Sequence, residues 1–402
     1  MTLVFGFLFL LFSLLGYLRS KSYLAPTFIA PVSWAGILLI YGTLDHGMPS
    51  LSINVLLVVL LWVLSLLTGM YLFSEVGRRK IVKKRFNPFV RNVYYYIALF
   101  GSIPGFYVAY MQATTMGMGN IFLNLRFAGA GLSESEYNYG IWRYAFTFAY
   151  VSFLMELYCN DNKKRIRILF LLNLIQAIIT MSKSGLFILF LSIFAILFLQ
   201  RRVTKTIVIV SLSSLMFLMS LTQILRSGEE KDNVVSDMLY SYTLGGVPAL
   251  DKVVIAETSS KNWGQFSMKF FKTFTRAFVG KKNQSEDLDL NNDITDEGYV
   301  YLPLPTNVFT VIGPFWWDFG YWGIMIFGFI IGGLSGYYYR LMQAGVVWAA
   351  IPYCFLFSVL ILQFFGEFIF SNLSFLLQLI ILSIIAYKFK YILVCKKSII
   401  PD

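Results

Sequence analysis

Apolar runs long enough to cross a bilayer recur along this chain, and their recurrence leaves few folds open to it. A helix spanning about 30 Å of hydrocarbon needs roughly 20 apolar residues. Candidate stretches are 2–18, 24–41, 51–73, 92–112, 142–158, 166–181, 185–200, 205–224, 319–338, 345–362 and 372–392. The pattern predicts an all-α polytopic membrane protein of about eleven transmembrane helices, within a range of 10–12. The sixth and seventh stretches are short. Met181 to Gly185 between them reads as a tight turn, so that pair can be two spans or one re-entrant hairpin.

Charge supports the membrane reading. Only 13% of residues are charged and 57% are hydrophobic, against roughly 25% charged in soluble domains. The chain could not cover a water-facing surface with so few charges. Three scattered cysteines, Cys159, Cys354 and Cys395, offer neither a zinc spacing nor a disulfide framework. No metal or cofactor site is expected. Residues 1–18 lack a basic leader and a small-residue cleavage site, so they read as a first span rather than a removed signal.

The net charge of +12 would fit a nucleic-acid partner only if it were clustered for one. It is distributed as a topology signal instead. Arg19 and Lys21, the Arg78–Arg91 group, Lys163–Arg167, Arg201–Lys205, Arg340 and Lys388–Lys397 all fall in one alternating set of connections. The other short connections hold only Arg126, Arg143 and Lys183. The positive-inside rule places the rich set in the cytoplasm and leaves no nucleic-acid partner to expect. The chain then divides into an N-terminal membrane region (1–224, with an outer segment at 113–141), a large outer loop (225–306) and a C-terminal membrane region (307–402). No internal repeat is visible, so an inverted-repeat transporter has no support.

A connection as long as 225–306 is seldom idle. Within it Phe266, Phe270, Phe274 and Phe278 recur every four residues, with Lys269, Lys272 and Arg276 between them. On a helix this is an aromatic stripe flanked by cations. Such a helix can lie in the headgroup layer or pack against the membrane helices with a solvated basic face. Ile121, Phe122, Leu125 and Ala128 with Arg126 form a shorter version. Residues 281–297 are rich in Asn, Asp and Glu without the calcium-loop order, and read as a solvated tip. Prolines 303 and 305 predict an extended approach to the membrane. Trp316, Trp317, Tyr321 and Trp322 predict an interfacial aromatic belt. Gly245, Gly246 and Pro248 predict a turn.

Taken together, Met181-Ser-Lys-Ser-Gly185, Tyr242-Thr-Leu-Gly-Gly-Val-Pro-Ala-Leu-Asp251, Thr306-Asn-Val-Phe-Thr310, Trp317-Asp-Phe-Gly320 and Gly323 resemble the O-antigen (Wzy-type) polymerases, the oligosaccharide repeat-unit polymerases. The resemblance implies a metal-independent glycosyltransferase of the bacterial inner membrane, active at its periplasmic face. It implies substrates carried on undecaprenyl diphosphate, joined into O-antigen or a related surface polysaccharide. Membrane lipid is a further partner, and a chain-length regulator is left open as another. One departure is that Lys183 stands where such proteins often carry an arginine, and lysine lacks the bidentate fork.

That chemistry needs cations for a departing diphosphate, which guanidinium groups bind two oxygens at a time. Arg226, Arg276 and Arg126 are the candidate clamps, with Lys183 beside them; each also reads as a headgroup anchor. The candidate bases are Glu367, Asp318 and Asp251. Glu367 lies in a short apolar outer turn where desolvation would raise its pKa; a structural ion pair is the alternative for it. Tyr242, Asn307 and Trp317 are the candidate sugar contacts. Two other activities fit a similar layout. An O-antigen ligase resembles this family but uses a histidine in its large outer loop, and the only histidine here is His46. A flippase for lipid-linked sugars would need cations lining a cavity inside the membrane region, whereas these lie at span ends.

Overall fold

A computed structural model describes residues 1–74, 85–115, 120–129, 139–181, 183–227, 243–256, 264–268, 270–271, 300–302 and 305–397. Apart from one pair of two-residue strands, the described residues are helices and their connections. Helix occupies all eleven apolar stretches. Among the described residues, six helical segments are long and apolar enough to cross a membrane: Thr2–Ser20, Pro26–Thr43, Ile53–Ser74, Lys205–Thr222, Gly313–Gln343 and Val347–Phe364. Shorter apolar helices cover Lys183–Leu199 and Leu373–Phe389. The class these define is a helical membrane protein.

The chain forms two compact units. The first takes Met1–Arg78, Ser236–Arg340 and Val359–Ser374. It holds α1 (Thr2–Ser20), α2 (Pro26–Thr43), α3 (Ile53–Ser74), α10 (Gly246–Ile255) and most of α11 (Gly313–Gln343). Helices α1 and α2 form an antiparallel pair, linked by the Ser13 hydroxyl donating to the Phe28 carbonyl at 3.0 Å. Helices α3 and α11 pack in parallel, backbone to backbone. A Cβ built on Gly332 would lie 2.1 Å from the Leu66 carbonyl oxygen, and one on Gly69 would lie 2.2 Å from that of Phe329. In lipid, helices attract through such close backbone contact, because neighbouring chains are as apolar as leucine. Gly328, Gly332 and Gly336, four residues apart, supply the α11 face. A Gly332→Leu chain should therefore lose at least about 3 kcal/mol, the upper end of ordinary overpacking, read as a lower unfolding midpoint of the purified protein in detergent.

The second unit takes Arg79–Val235, Leu341–Ser358 and Phe375–Asp402. It holds α4 (Pro88–Thr115), α5 (Ile121–Gly129), α6 (Arg143–Cys159), α7 (Lys163–Ile179), α8 (Lys183–Leu199) and α9 (Lys205–Ser227). Most of α12 (Ala350–Ile361) and α13 (Leu373–Lys397) belongs to it too. Helices α7 and α8 are separate elements of 17 residues each. At 1.5 Å per residue each is about 25 Å long, a little short of a full hydrocarbon core. Arg91, read above as one of the cytoplasmic charges, has a buried partner. Its guanidinium donates to both Glu156 oxygens at 3.1 and 2.6 Å, and to Asp161 at 2.8 Å. Higher along α6 and α8, Tyr150 and Ser192 share a hydrogen bond of 2.6 Å. Ser192 continues to Ser358 at 3.0 Å, which satisfies these hydroxyls within an apolar interior.

Local structure differs from expectation at two places. Gly245 is a turn residue, but one that serves as the N-cap of α10, and Gly246 and Pro248 lie in the first turn of that helix. That position asks nothing of a proline's missing N–H, since the first helical amides have no partner within the helix. The proline-rich approach is extended but doubles back. Val300 pairs with Thr306 and Tyr301 with Pro305 in an antiparallel ladder.

Candidate functional site

Within the first unit, two of the stretches singled out in the sequence, around Gly246 and around Val308–Val311, come together at one buried amide. Gln363, 2% exposed, follows α12. Its side-chain oxygen accepts from the indole N–H of Trp62 at 2.9 Å and of Trp34 at 3.2 Å. Its Nε2 donates to the Leu360 carbonyl at 2.6 Å. Its own carbonyl accepts from the Val311 amide at 2.7 Å. One residue thus ties α2, α3 and the segment leading into α11 to the 362–372 connection. Gly246 packs against the same place. A Cβ there would meet the Phe364 carbonyl oxygen at 2.6 Å and the Val308 and Thr310 side chains at 3.2 and 3.3 Å. Sequence reasoning missed Gln363 as a site residue. The available signal was a lone amide between apolar residues at the end of a span, where an unpaired polar group is costly.

The three candidate carboxylates differ in how much of their capacity is already used. A carboxylate offers about four lone-pair sites. Asp318, 4% exposed, accepts from the Phe266 amide at 3.1 Å at each oxygen, and from the amide and hydroxyl of Ser267 at 2.6 Å each. It pins the 264–268 turn to α11, just before that helix breaks. The break is at Gly320, whose φ of 57° and ψ of −136° no side-chain-bearing residue adopts comfortably. Asp251, 5% exposed on α10, accepts from the Ser52 amide at 2.8 Å and from the Ser52 hydroxyl. It fastens the connection between α2 and α3 to α10.

Glu367 is only half-buried. It accepts from the amides of Ile369 at 2.5 Å, Phe370 at 2.7 Å and Ser371 at 2.7 Å. These hold the chain in a tight turn ahead of α13. Burial pushes the Glu367 carboxyl above the ordinary carboxylate range, against the opposing pull of the three amides and the Ser371 hydroxyl.

The candidate sugar contacts separate in the same way. Asn307 is exposed, while Thr306 and residues 308–312 on either side are buried. Trp317 is held between two phenylalanines, its ring 4.9 Å from Phe266 and 4.7 Å from Phe309. Of the expected aromatic belt, Tyr321 and Trp322 are exposed and Trp316 is buried. Tyr242 and Arg276 lie outside the described residues, as do the acidic tip and most of the 266–278 stripe. Arg226 falls in the last turn of α9, with its side chain outside the description. Arg126 on α5 is half-exposed. Lys183 opens α8 and is buried, with a partner. Both belong to the second unit. His46 is fully engaged: its Nε2 lies 2.9 Å from the Tyr41 carbonyl and its Nδ1 accepts from the Met48 amide at 3.1 Å. Those partners require the neutral tautomer with the proton on Nε2. Among the described residues no cluster of three or more His, Cys, Asp or Glu could hold a metal ion.

No family model, no curated protein and no solved structure matches this chain.

Proposed function

We propose that this chain polymerises undecaprenyl-diphosphate-linked oligosaccharide repeat units into O-antigen or a related surface polysaccharide. In this reading it crosses the bacterial inner membrane about eleven times and works at the periplasmic face. The observation that carries it is the convergence of Gly246, Thr306–Thr310, Asp318 and Glu367 in one unit. Gly246, Thr306–Thr310 and Asp318 lie in stretches on which the family resemblance rests, and with Glu367 they bring one exposed amide and one half-exposed carboxylate into the same unit.

The step is a displacement at the anomeric carbon of the growing glycan. Its bond to the diphosphate oxygen breaks, a bond to a hydroxyl of the incoming unit forms, and undecaprenyl diphosphate leaves with the electron pair. Glu367 takes the hydroxyl proton. Asp318 and Asp251, buried and hydrogen-bonded, hold the outer segments in place around it. Asn307 orients a sugar hydroxyl. Arg226 and Arg276, with Arg126 and Lys183, meet the negative charge of the diphosphate.

The test begins with deletion of the protein and electrophoresis of surface lipopolysaccharide. A polymerase loss leaves core plus a single repeat unit; a bare core would identify a ligase instead. Arg226→Ala and Arg276→Ala should each shorten or erase the ladder at normal protein level, and a full ladder from both variants would remove the clamp assignment. For the base, Glu367 must be ionised, so the rate should rise with pH about tenfold per unit below its raised pKa and level off above it. Glu367→Gln should lower the rate about 100-fold or more and flatten that limb. An unchanged limb would exclude Glu367.

A further inference from the structure

Thr310 adopts a left-handed backbone, with φ of 59°. A β-branched residue is a genuine outlier there, because its Cβ crowds the following carbonyl. Such conformations persist only where the surroundings over-determine them, and they concentrate where geometry serves a function. The surroundings here do so. Thr310 is 1% exposed and its methyl faces Gly246. Its hydroxyl oxygen accepts from the Ile312 amide at 3.2 Å, and the next amide, Val311, is bonded to the Gln363 carbonyl. Four residues upstream, Thr306 is held by its ladder with Val300 and accepts from the Val308 amide at 3.2 Å. Between these two fixed points stands Asn307, whose side chain alone in the run 306–312 is exposed.

We infer that Thr310 is a positioning residue whose strained, buried backbone locks the 306–310 frame so that the Asn307 amide meets an uncharged, hydroxyl-bearing ligand in a fixed orientation. This inference rests on the glycan-transfer reading above. An amide both donates and accepts, which matches a sugar hydroxyl. Holding that amide still removes part of the ordering cost from binding.

The experiment compares Thr310→Gly, Thr310→Asn and Asn307→Ala in the full-length protein reconstituted in nanodiscs. The probe is the polyprenyl-diphosphate glycan fraction extracted from cells lacking this protein. Glycine relieves the strain and frees the backbone. The expected result is an unfolding midpoint no lower than wild type, faster amide hydrogen exchange across 306–312, and a KM raised about tenfold with kcat little changed. Asparagine tolerates the left-handed region and keeps an acceptor for the Ile312 amide, so Thr310→Asn should return KM to the wild-type value. Asn307→Ala should raise KM to the same extent, with no further rise when combined with Thr310→Gly. A merely structural threonine would instead show activity falling in step with the unfolding midpoint. Unchanged exchange in Thr310→Gly, or an unchanged KM in either single variant, overturns the inference while polymerisation by wild type keeps the reaction reading standing. Absence of wild-type polymerisation sinks the reaction reading, and the exchange measurement, which needs no substrate, then decides the frame by itself.

Discussion

Replacing Gln363 with leucine should destabilise the first unit by about 2–6 kcal/mol, because two buried indole N–H groups lose their shared acceptor and each orphan costs about 1–3 kcal/mol. Trp34 and Trp62 are both fully buried, so water cannot replace the lost oxygen. The loss is read as a lower unfolding midpoint of purified protein in detergent and as less protein in membranes. A double-mutant cycle separates this cause from altered packing. Trp62→Phe should cost less in the Gln363→Leu background than in wild type, since the donor it removes is already unpaired, and the coupling should be about 1–2 kcal/mol. Strict additivity would mean that the hydrogen bond contributes nothing beyond shape. Gln363 also holds Val311 through its backbone, and that bond survives the substitution. Activity lost by the folded fraction should therefore be smaller than stability lost.

The second large effect is expected in the other unit. Arg91→Ala should cost about 3–5 kcal/mol, the penalty for leaving a buried charge without its partner. Glu156 is 0% exposed, and of the remaining cations Arg165 lies 3.9 Å from it, at the limit of an ion pair. Arg91→Lys should recover only part of the loss, because an ammonium cannot reproduce the two-pronged contact with both Glu156 oxygens. Replacing the pair together, Arg91→Met with Glu156→Leu, should be milder than Arg91→Ala alone, since no buried charge then remains. A double variant as unstable as the single one would show that the pair, and not the orphaned charge, is what the fold requires.

The helices were legible along the chain because lipid leaves backbone polar groups no partner outside their own segment. Twenty apolar residues in a row then admit one local solution, and each expected stretch is helical. The frame of the candidate site was legible in fragments. Gly246, Thr306, Asn307, Thr310, Asp318 and Glu367 all lie in stretches noticed for their composition. That Trp34, Trp62 and Val311 meet at Gln363, with Gly246 packed beside it, could not be read, since the amide joins partners as far apart in sequence as Trp34 and residue 363. The α11 glycines at 328, 332 and 336 were visible as letters, but nothing local says which helix would press against them.

The roles of the acidic residues divide along the same line. Asp251, Asp318 and Glu367 are alike in sequence: carboxylates next to apolar segments. Only tertiary structure distinguishes them, by burying Asp251 and Asp318 and leaving Glu367 half-exposed. Length, helicity and membrane character follow from how each segment meets its solvent, which is a local property of the chain. Which carboxylate is spent on holding loops, and where Thr310 is forced left-handed, depends on contacts between distant segments, and only the folded packing of those segments decides them.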